Sequence, residues 1–166
     1  LYFILDLERK RQGFGLMETV VGVAIISVVL FGLAQVGQFT FRLTDEANLK
    51  IRASYLAEEG LEAVRAIRDS GWSENIVPKA LDTDYFFNFV GGRWQLDLTP
   101  VSLVDNIFGR RIRFSAVYRD AEDDIIASGG ALDPNAKKVT VDVWWSNRGR
   151  TATTTISTYL TNLFNN

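Results

Sequence analysis

The sequence has no charged residue between Glu18 and Arg42, and most of these 23 positions are apolar. A helix of about 20 apolar residues spans the hydrocarbon core of a bilayer, and 18 or more such residues without a charge are the usual sign of one. The alternative is the buried helix of a globular core. The rest of a 166-residue chain could hardly enclose so long an apolar helix on every side. The sequence therefore predicts a membrane-spanning helix.

The composition narrows the chemistry that the chain can perform. The chain contains no Cys and no His, and its 18 basic and 20 acidic residues give a net charge of −2. Disulfides, thiol nucleophiles and thiolate zinc sites are thereby excluded, and so is the side chain that usually acts as a general base near neutral pH. An enzyme would have to use carboxylates, and no paired set stands out. We therefore expect a structural or binding protein rather than an enzyme.

Two charged features flank the apolar run. Arg9-Lys10-Arg11 precedes it, so the positive-inside tendency predicts a cytoplasmic N-terminus and an exterior location for everything after Arg42. Glu18 lies at the start of the run, where a carboxylate in contact with hydrocarbon is costly. Charge spacing leaves two interpretations open. Glu18 is a functional carboxylate with a partner, or it marks the membrane interface.

The segment Gly13-Phe14-Gly15-Leu16-Met17-Glu18, between a basic cluster and an apolar helix, resembles the class III signal of type IV pilins and type II secretion pseudopilins. The resemblance implies that a prepilin peptidase cuts between Gly13 and Phe14 and N-methylates Phe14. Residues 1–13 would then be a leader. It also implies that Glu18 pairs with the new terminal amine of Phe14 in a neighbouring subunit during filament assembly. These are assembly roles and not catalytic ones.

The same resemblance implies a function, partners and a location. The chain would be a structural subunit, a pilin or minor pilin, of a type IV pilus-like filament. Its partners would be copies of itself, the prepilin peptidase, an inner-membrane assembly platform and, before assembly, membrane lipid. The precursor would lie in the bacterial inner membrane, and the assembled subunit would lie in an extracellular filament. Two alternatives stay open: a pseudopilin of a type II secretion system, and a single-pass membrane-anchored extracellular binding module or enzyme.

The helical pattern continues beyond the apolar run. One series of residues recurs at steps of three and four, which is the period of one helix face: Leu43, Ala47, Ile51, Ser54, Ala57, Leu61, Val64 and Ile67. Asp69-Ser70-Gly71 supplies a stop signal, with Gly71 as a C-cap. We therefore expect an apolar helix half over 14–42 and an amphipathic half over 43–70.

From Trp72 onward the period changes to two. Apolar and polar residues alternate over four segments, at residues 93–98, 111–118, 138–145 and 151–160. Gly91-Gly92 and Asn147-Arg148-Gly149 read as turns. The prediction is an α+β fold, in which the long N-terminal helix packs on an antiparallel sheet of about four strands within residues 71–166. This matches the lollipop arrangement of the pilin family.

An acidic loop is the one candidate for a metal site. Asp120, Glu122, Asp123 and Asp124 lie within five residues between two predicted strands. Calcium prefers such oxygen ligands, and some pseudopilins hold calcium near their C-terminus. The alternative is a solvated acidic loop with no metal. No other cofactor is expected.

Two further sets of side chains allow either a binding or a structural interpretation. The first set could form a basic patch for nucleic acid, or could pair with the acidic loop or with the next subunit: Arg110, Arg111, Arg113, Arg148 and Arg150. Trp94, Trp144 and Trp145 form the second set. They could build a binding platform, or they could belong to the core or to a subunit interface.

Overall fold

The computed structural model describes residues 15–163. These residues form two compact units that divide between Asp45 and Glu46, and each is described by itself below. The predicted leader at 1–13 and its neighbour Phe14 lie outside the described residues. The secondary-structure elements in chain order are α1 Leu16–Asp69, α2 Trp72–Asn75, β1 Asp84–Val90, β2 Arg93–Asp97, β3 Phe108–Arg119, β4 Ile125–Ile126, β5 Ala131–Asn147 and β6 Arg150–Thr161.

Helix α1 has 54 residues and ends close to the predicted stop. Its first turn carries Glu18 and its last turn carries Arg68, each at the end that the helix dipole favours for that charge. After Asp69 the Ser70 hydroxyl donates a 2.7 Å hydrogen bond to the Ile67 carbonyl. Gly71 then takes a φ of 150°, which side chains disfavour, and the chain leaves the helix axis there.

The second unit contains one antiparallel sheet with the strand order β2-β1-β3-β5-β6, and β4 pairs with the end of β3. The predicted α+β class with a long N-terminal helix on an antiparallel sheet is confirmed. The expected number of about four strands was too low, because the sheet has six. The missed strands are β1 and the two-residue β4. In β1 the buried Tyr85 and Phe87 alternate with half-buried polar and aromatic neighbours, so a period of two was present there.

The helix packs on the sheet through small side chains. Its buried residues are Ala53, Ala57, Gly60, Ala63, Val64 and Ile67. They join the inward side chains of the central strands in one apolar core, and those of β5 are Val139, Val141, Val143 and Trp145. The sheet therefore packs close to a narrow face of the helix. Larger side chains on this face would increase the distance between the helix and the sheet.

The predicted helix face is correct only near its C-terminal end. Ala57, Val64 and Ile67 are buried as expected. Ser54 and Leu61 are half-buried, and the earlier members are exposed, namely Leu43, Ala47 and Ile51. The first fully buried helix residue is Ala53. Periodicity gives the direction of a face but cannot tell where along the helix a covering sheet begins.

Two tight turns and one bulge set the register of the sheet. Gly91-Gly92 joins β1 to β2, and Arg148-Gly149 joins β5 to β6, all with positive φ between 52° and 77° as a type I′ hairpin requires. In β3 the register shifts between Ala116 and Tyr118, so Val117 is buried. A bulge inverts the alternation beyond it, which is why the regular pattern expected through Tyr118 does not hold.

The connection from α1 to β1 is anchored by a lysine. The Lys137 ammonium donates to the carbonyl oxygens of Ile76, Val77 and Lys79 at 2.8, 3.1 and 2.9 Å. Burial lowers the pKa of the Lys137 side chain. Three carbonyl acceptors compensate the desolvated charge, so this segment is held against the start of β5.

Candidate functional site

The first unit presents an apolar helix surface that nothing in the described chain covers. The large apolar side chains of residues 16–43 are all at least half exposed, from 51% at Val21 and Leu43 to 81% at Leu16. By length and composition this is one helix that could cross a membrane, and its most apolar 18-residue window has no buried residue. Such a surface calls for lipid or for another apolar chain as its surroundings.

The hydroxyl groups of this segment are satisfied within the helix itself. Ser27 and Thr40 donate to the carbonyl oxygens four residues earlier at 2.7 and 3.0 Å, and Thr19 and Thr44 follow the same pattern. Each hydroxyl therefore has an acceptor that does not depend on water. The few polar side chains of this kind do not prevent the segment from entering an apolar environment.

Glu18 lies in the first turn of α1 and its side chain is exposed. The ion pairs found among residues 15–163 do not involve it. Of the residues that the resemblance singles out for assembly, Gly13 and Phe14 lie outside the described residues. Glu18 is therefore a carboxylate placed at the edge of an exposed apolar helix surface.

The acidic loop folds around one of its own carboxylates. Asp120 Oδ1 accepts hydrogen bonds from the backbone N–H groups of Glu122 and Asp124 at 3.1 and 2.8 Å. Asp123, with a φ of 69°, lies 3.6 Å from Arg119 Nε. Within residues 15–163 no group of three or more acidic side chains converges in a way that could hold a metal ion. The structure thus does not bring the four calcium candidates together.

The three arginines of the predicted basic patch that lie in β3 are divided between two faces of the sheet. Arg111 and Arg113 lie on the outer face, where Arg111 pairs with Asp84 and Asp142 at 3.0 Å each, and Arg113 pairs with Asp84 at 2.7 Å. Arg110 lies on the helix side, 3.4 Å from Glu59. Their partners are therefore in the strands and the helix, and the acidic loop pairs with Arg119 instead.

The side chain of Arg110 is largely buried on the inner face, so the prediction that grouped it with Arg111 and Arg113 was wrong. Its side chain is 6% exposed, and it donates to the Leu56 carbonyl at 3.0 Å. Burial lowers the pKa of the Arg110 guanidinium, and the Glu59 charge opposes this. Strict alternation between Phe108 and Ile112, both buried, already assigned position 110 to the inner face. The alternation of β3 was therefore the sequence signal that could have assigned Arg110 and Arg111 to opposite faces of the sheet.

The outer face carries a polar network across neighbouring strands. Burial raises the pKa of the Asp84 carboxyl, but hydrogen bonds and charges from Arg113 and Arg111 together outweigh this and lower it below its ordinary value. Asp142 extends the network by accepting a 2.7 Å hydrogen bond from the Thr155 hydroxyl of β6. These contacts join β1, β3, β5 and β6, so the network fits a role in stabilising the sheet.

The tryptophans do not form a platform. Trp145 is buried in the core, and Trp94 packs edge-on against Phe87 and Phe89 on the inner side, with centroid distances of 6.1 and 5.0 Å. Trp144 lies on the outer face, where its indole covers Gly109 and stacks near the Arg111 guanidinium at 5.6 Å. Their positions follow from strand alternation, which sends adjacent residues to opposite faces.

No family model, no curated protein and no solved structure matches this chain. The functional proposal therefore depends on the sequence motif and on the geometry of the described residues.

Proposed function

We propose that this chain is a structural subunit, a pilin or minor pilin, of a type IV pilus-like filament. It is stored in the bacterial inner membrane with its N-terminus in the cytoplasm. It enters an extracellular filament after a prepilin peptidase removes residues 1–13 and methylates Phe14. The observation that carries the proposal is the exposed apolar surface of residues 16–43, with a carboxylate in its first helical turn.

The apolar surface of residues 16–43 needs apolar surroundings at every stage. Lipid satisfies this surface while the subunit is in the membrane, and sister helices satisfy it in a filament. Leaving the membrane therefore requires that other helices replace the lipid. A subunit whose sheet domain is folded separately can make this exchange without refolding, because its core begins at Ala53.

Glu18 determines how neighbouring helices align when they replace the lipid. Cleavage before Phe14 creates an ammonium group at the start of the helix, and an unpaired charge in an apolar setting is costly. A carboxylate from an adjacent subunit neutralises the ammonium group and forms a charge-assisted hydrogen bond. Because the pair joins two chains, it forms only when subunits meet in the correct register.

The test has two readouts. Mass spectrometry of the N-terminus in cells that contain the peptidase should detect N-methylated Phe14 and no residues 1–13. A Glu18→Ala variant should still enter the membrane but should lose most filaments, scored by electron microscopy of sheared cell-surface material. Thr19→Ala is the matched control, since its hydroxyl bonds only to its own helix. An intact N-terminus, or normal filaments from Glu18→Ala, would contradict the proposal.

A pseudopilin is the second candidate within this class, and filament length separates the two. A pilin gives long surface filaments, whereas a pseudopilin gives a short periplasmic one. The competing anchored module would keep its N-terminal residues and stay monomeric, so the same mass measurement distinguishes it.

A further inference from the structure

The sheet of the second unit has two ends with different chemistry. Strands β1 and β5 are both antiparallel to β3, so the turns that follow them, at 91–92 and 148–149, lie at the same end. We name this the turn end. Residues 120–130, between β3 and β5, lie at the opposite end, which we name the loop end. The 12 residues of β3 separate the two ends by roughly 40 Å at about 3.3 Å per residue.

The turn end presents an apolar tip beside a positive charge. Phe89 and Val90, just before the Gly91-Gly92 turn, are 59% and 51% exposed. The Phe89 ring makes an edge-on contact with the Trp94 ring, with the centroids 5.0 Å apart. Arg93, just after the turn, is exposed and forms no ion pair with another residue of 15–163.

The loop end presents an apolar cavity beside negative charges. The cavity has a volume of about 320 Å³, and its apolar lining includes Val77, Pro78, Leu81, Leu132 and Pro134. Lys79, Asp133 and Lys137 also line it, and the Lys137 ammonium is bound by backbone carbonyl oxygens. A second cavity shares Leu132 and Pro134 with it and reaches Asp120 and Asp123, so the acidic loop borders the apolar cavity.

The acidic loop has charges that the described chain does not neutralise. Arg119 is the one cation in the run from 119 to 124, and it is already committed to Asp133 at 2.7 Å and to Asp123 at 3.6 Å. Glu122 and Asp124 are exposed, and no ion pair within residues 15–163 includes either of them. The two ends thus carry exposed charges of opposite sign, each beside an exposed apolar feature.

We propose that the turn end of one copy docks onto the loop end of a second copy. The exposed part of the Phe89 ring enters the apolar cavity, Val90 on the opposite face of β1 packs at the rim of the cavity, and Arg93 faces Glu122 and Asp124. The apolar tip supplies most of the affinity, and the opposite charges fix the orientation. The contact joins two different surfaces, so it repeats from copy to copy and builds an open chain. This inference rests on the proposed filament function and names a contact between its sheet domains.

The absence of cysteine permits a direct test by disulfide crosslinking in the full chain. Val90→Cys and Leu132→Cys are introduced together, and sheared cell-surface material from cells that produce the variant is oxidised. A repeating contact between unlike ends should give a ladder that extends past the dimer to at least the tetramer. Each single variant can reach only the dimer. The matched control is Leu98→Cys with Leu132→Cys, because Leu98 is 64% exposed but lies beyond the end of β2 that is remote from the turn.

Charge reversal provides the second arm of the test. In the V90C/L132C background, Arg93→Glu should reduce the oligomer ladder at least fivefold, and Glu122→Lys with Asp124→Lys should do the same. All three reversals combined should restore the ladder. Glu58→Lys, exposed on α1 two residues from the mid-sheet contact of Gly60 and so at neither end, should leave it unchanged. Tryptophan emission identifies any variant that has failed to fold.

Several outcomes would overturn the proposal. The first is the absence of an oligomer ladder from V90C/L132C, and the second is a V90C single variant that forms dimers as readily as V90C/L132C forms the ladder. The third is a combined charge-reversal variant that does not restore the ladder. Protection of V90C from a water-soluble maleimide by vesicles of phosphatidylglycerol, without a ladder, would show lipid as the occupant instead. Filaments without the ladder would refute only this contact. A ladder from a chain with an intact N-terminus would refute only the proposed function.

Discussion

At Gly60 the helix and the sheet are closer than a side chain would allow. A Cβ atom at this position would lie 3.0 Å from Val141 Cγ1 and 3.4 Å from the Phe87 ring. Glycine in a helix interior costs about 1 kcal/mol relative to alanine. Gly60 therefore lowers the stability of the helix itself but allows α1 to lie closer to the sheet. The gain is dense packing between α1 and the centre of the sheet.

We expect Gly60→Leu to lower the free energy of unfolding of the second unit by about 1–3 kcal/mol, the usual range for overpacking a dense core. Urea titration of the full chain in detergent micelles, followed by tryptophan emission, measures the loss. Gly32→Leu is the matched control, because no atom lies within 4 Å of the Cβ position there. A loss that is equal in both variants would show that helix propensity and not packing determines the effect.

Arg110 shows how a buried cation is accommodated beside this contact. Its guanidinium carbon lies 4.6 Å from the Phe87 ring centroid and 5.4 Å from that of Trp94. Its Nε is buried and forms no hydrogen bond within the described structure. The faces of aromatic rings carry partial negative charge, so they stabilise a cation without a hydrogen bond to every donor.

At the scale of elements, the outer face of the sheet is joined by charges. There Asp84 contacts two arginines of β3. Beyond the bulge a further ion pair joins the strands, in which Arg119 holds Asp133 at the start of β5. The hydrogen bond from Arg119 lowers the pKa of the Asp133 carboxyl, as the β3 arginines do for Asp84. A carboxyl with a lowered pKa in the folded state stabilises the fold above its unfolded pKa of about 3.9.

The stability of the sheet should therefore fall as the pH drops below about 4 and through the lowered pKa values of Asp84 and Asp133. In an Asp84→Asn variant the urea midpoint should be lower at pH 7 and should change less between pH 5 and pH 2 than in the native chain. Glu122→Gln, exposed and outside the network, should keep the native pH profile. An unchanged profile in Asp84→Asn would contradict the role of this network.

The sequence predicted elements that depend on local pattern better than those that depend on distant contacts. The end of α1 and the two turns followed from Gly71, Gly91-Gly92 and Gly149, where backbone conformation limits the residue type. The predicted helix face included Leu43 and Ile51 because periodicity contains no information about where the sheet begins. The Ala116–Tyr118 bulge likewise depends on pairing with β5, which no local pattern reports. For the candidate site, the sequence predicted the long apolar helix but not the burial of the Arg110 side chain, and the assembly role of Glu18 stays a prediction.

At the scale of the whole molecule, one chain joins a segment suited to an apolar environment to a domain with its own core. We expect Ile25→Arg with Val29→Arg to lower the membrane-bound, carbonate-resistant fraction at least tenfold. Each arginine near a membrane-helix centre costs about 2.5–3.5 kcal/mol of insertion free energy. The matched control places the same charges at Ile51 and Tyr55, which are 53% and 67% exposed in the second unit. Full retention of the first variant in the membrane would exclude a spanning role for this segment.

The back-bonded hydroxyls of α1 have a mechanical consequence. A carbonyl oxygen that also accepts from a serine or threonine side chain holds its own helical hydrogen bond less tightly, which allows a helix to bend at that turn. Val36 and Thr40 are two such acceptors, in a helix that contains no proline. The segment can therefore flex at set points and recover, whereas a proline would fix a permanent kink. A fibre built on such helices would bend under load and straighten again when the load is removed.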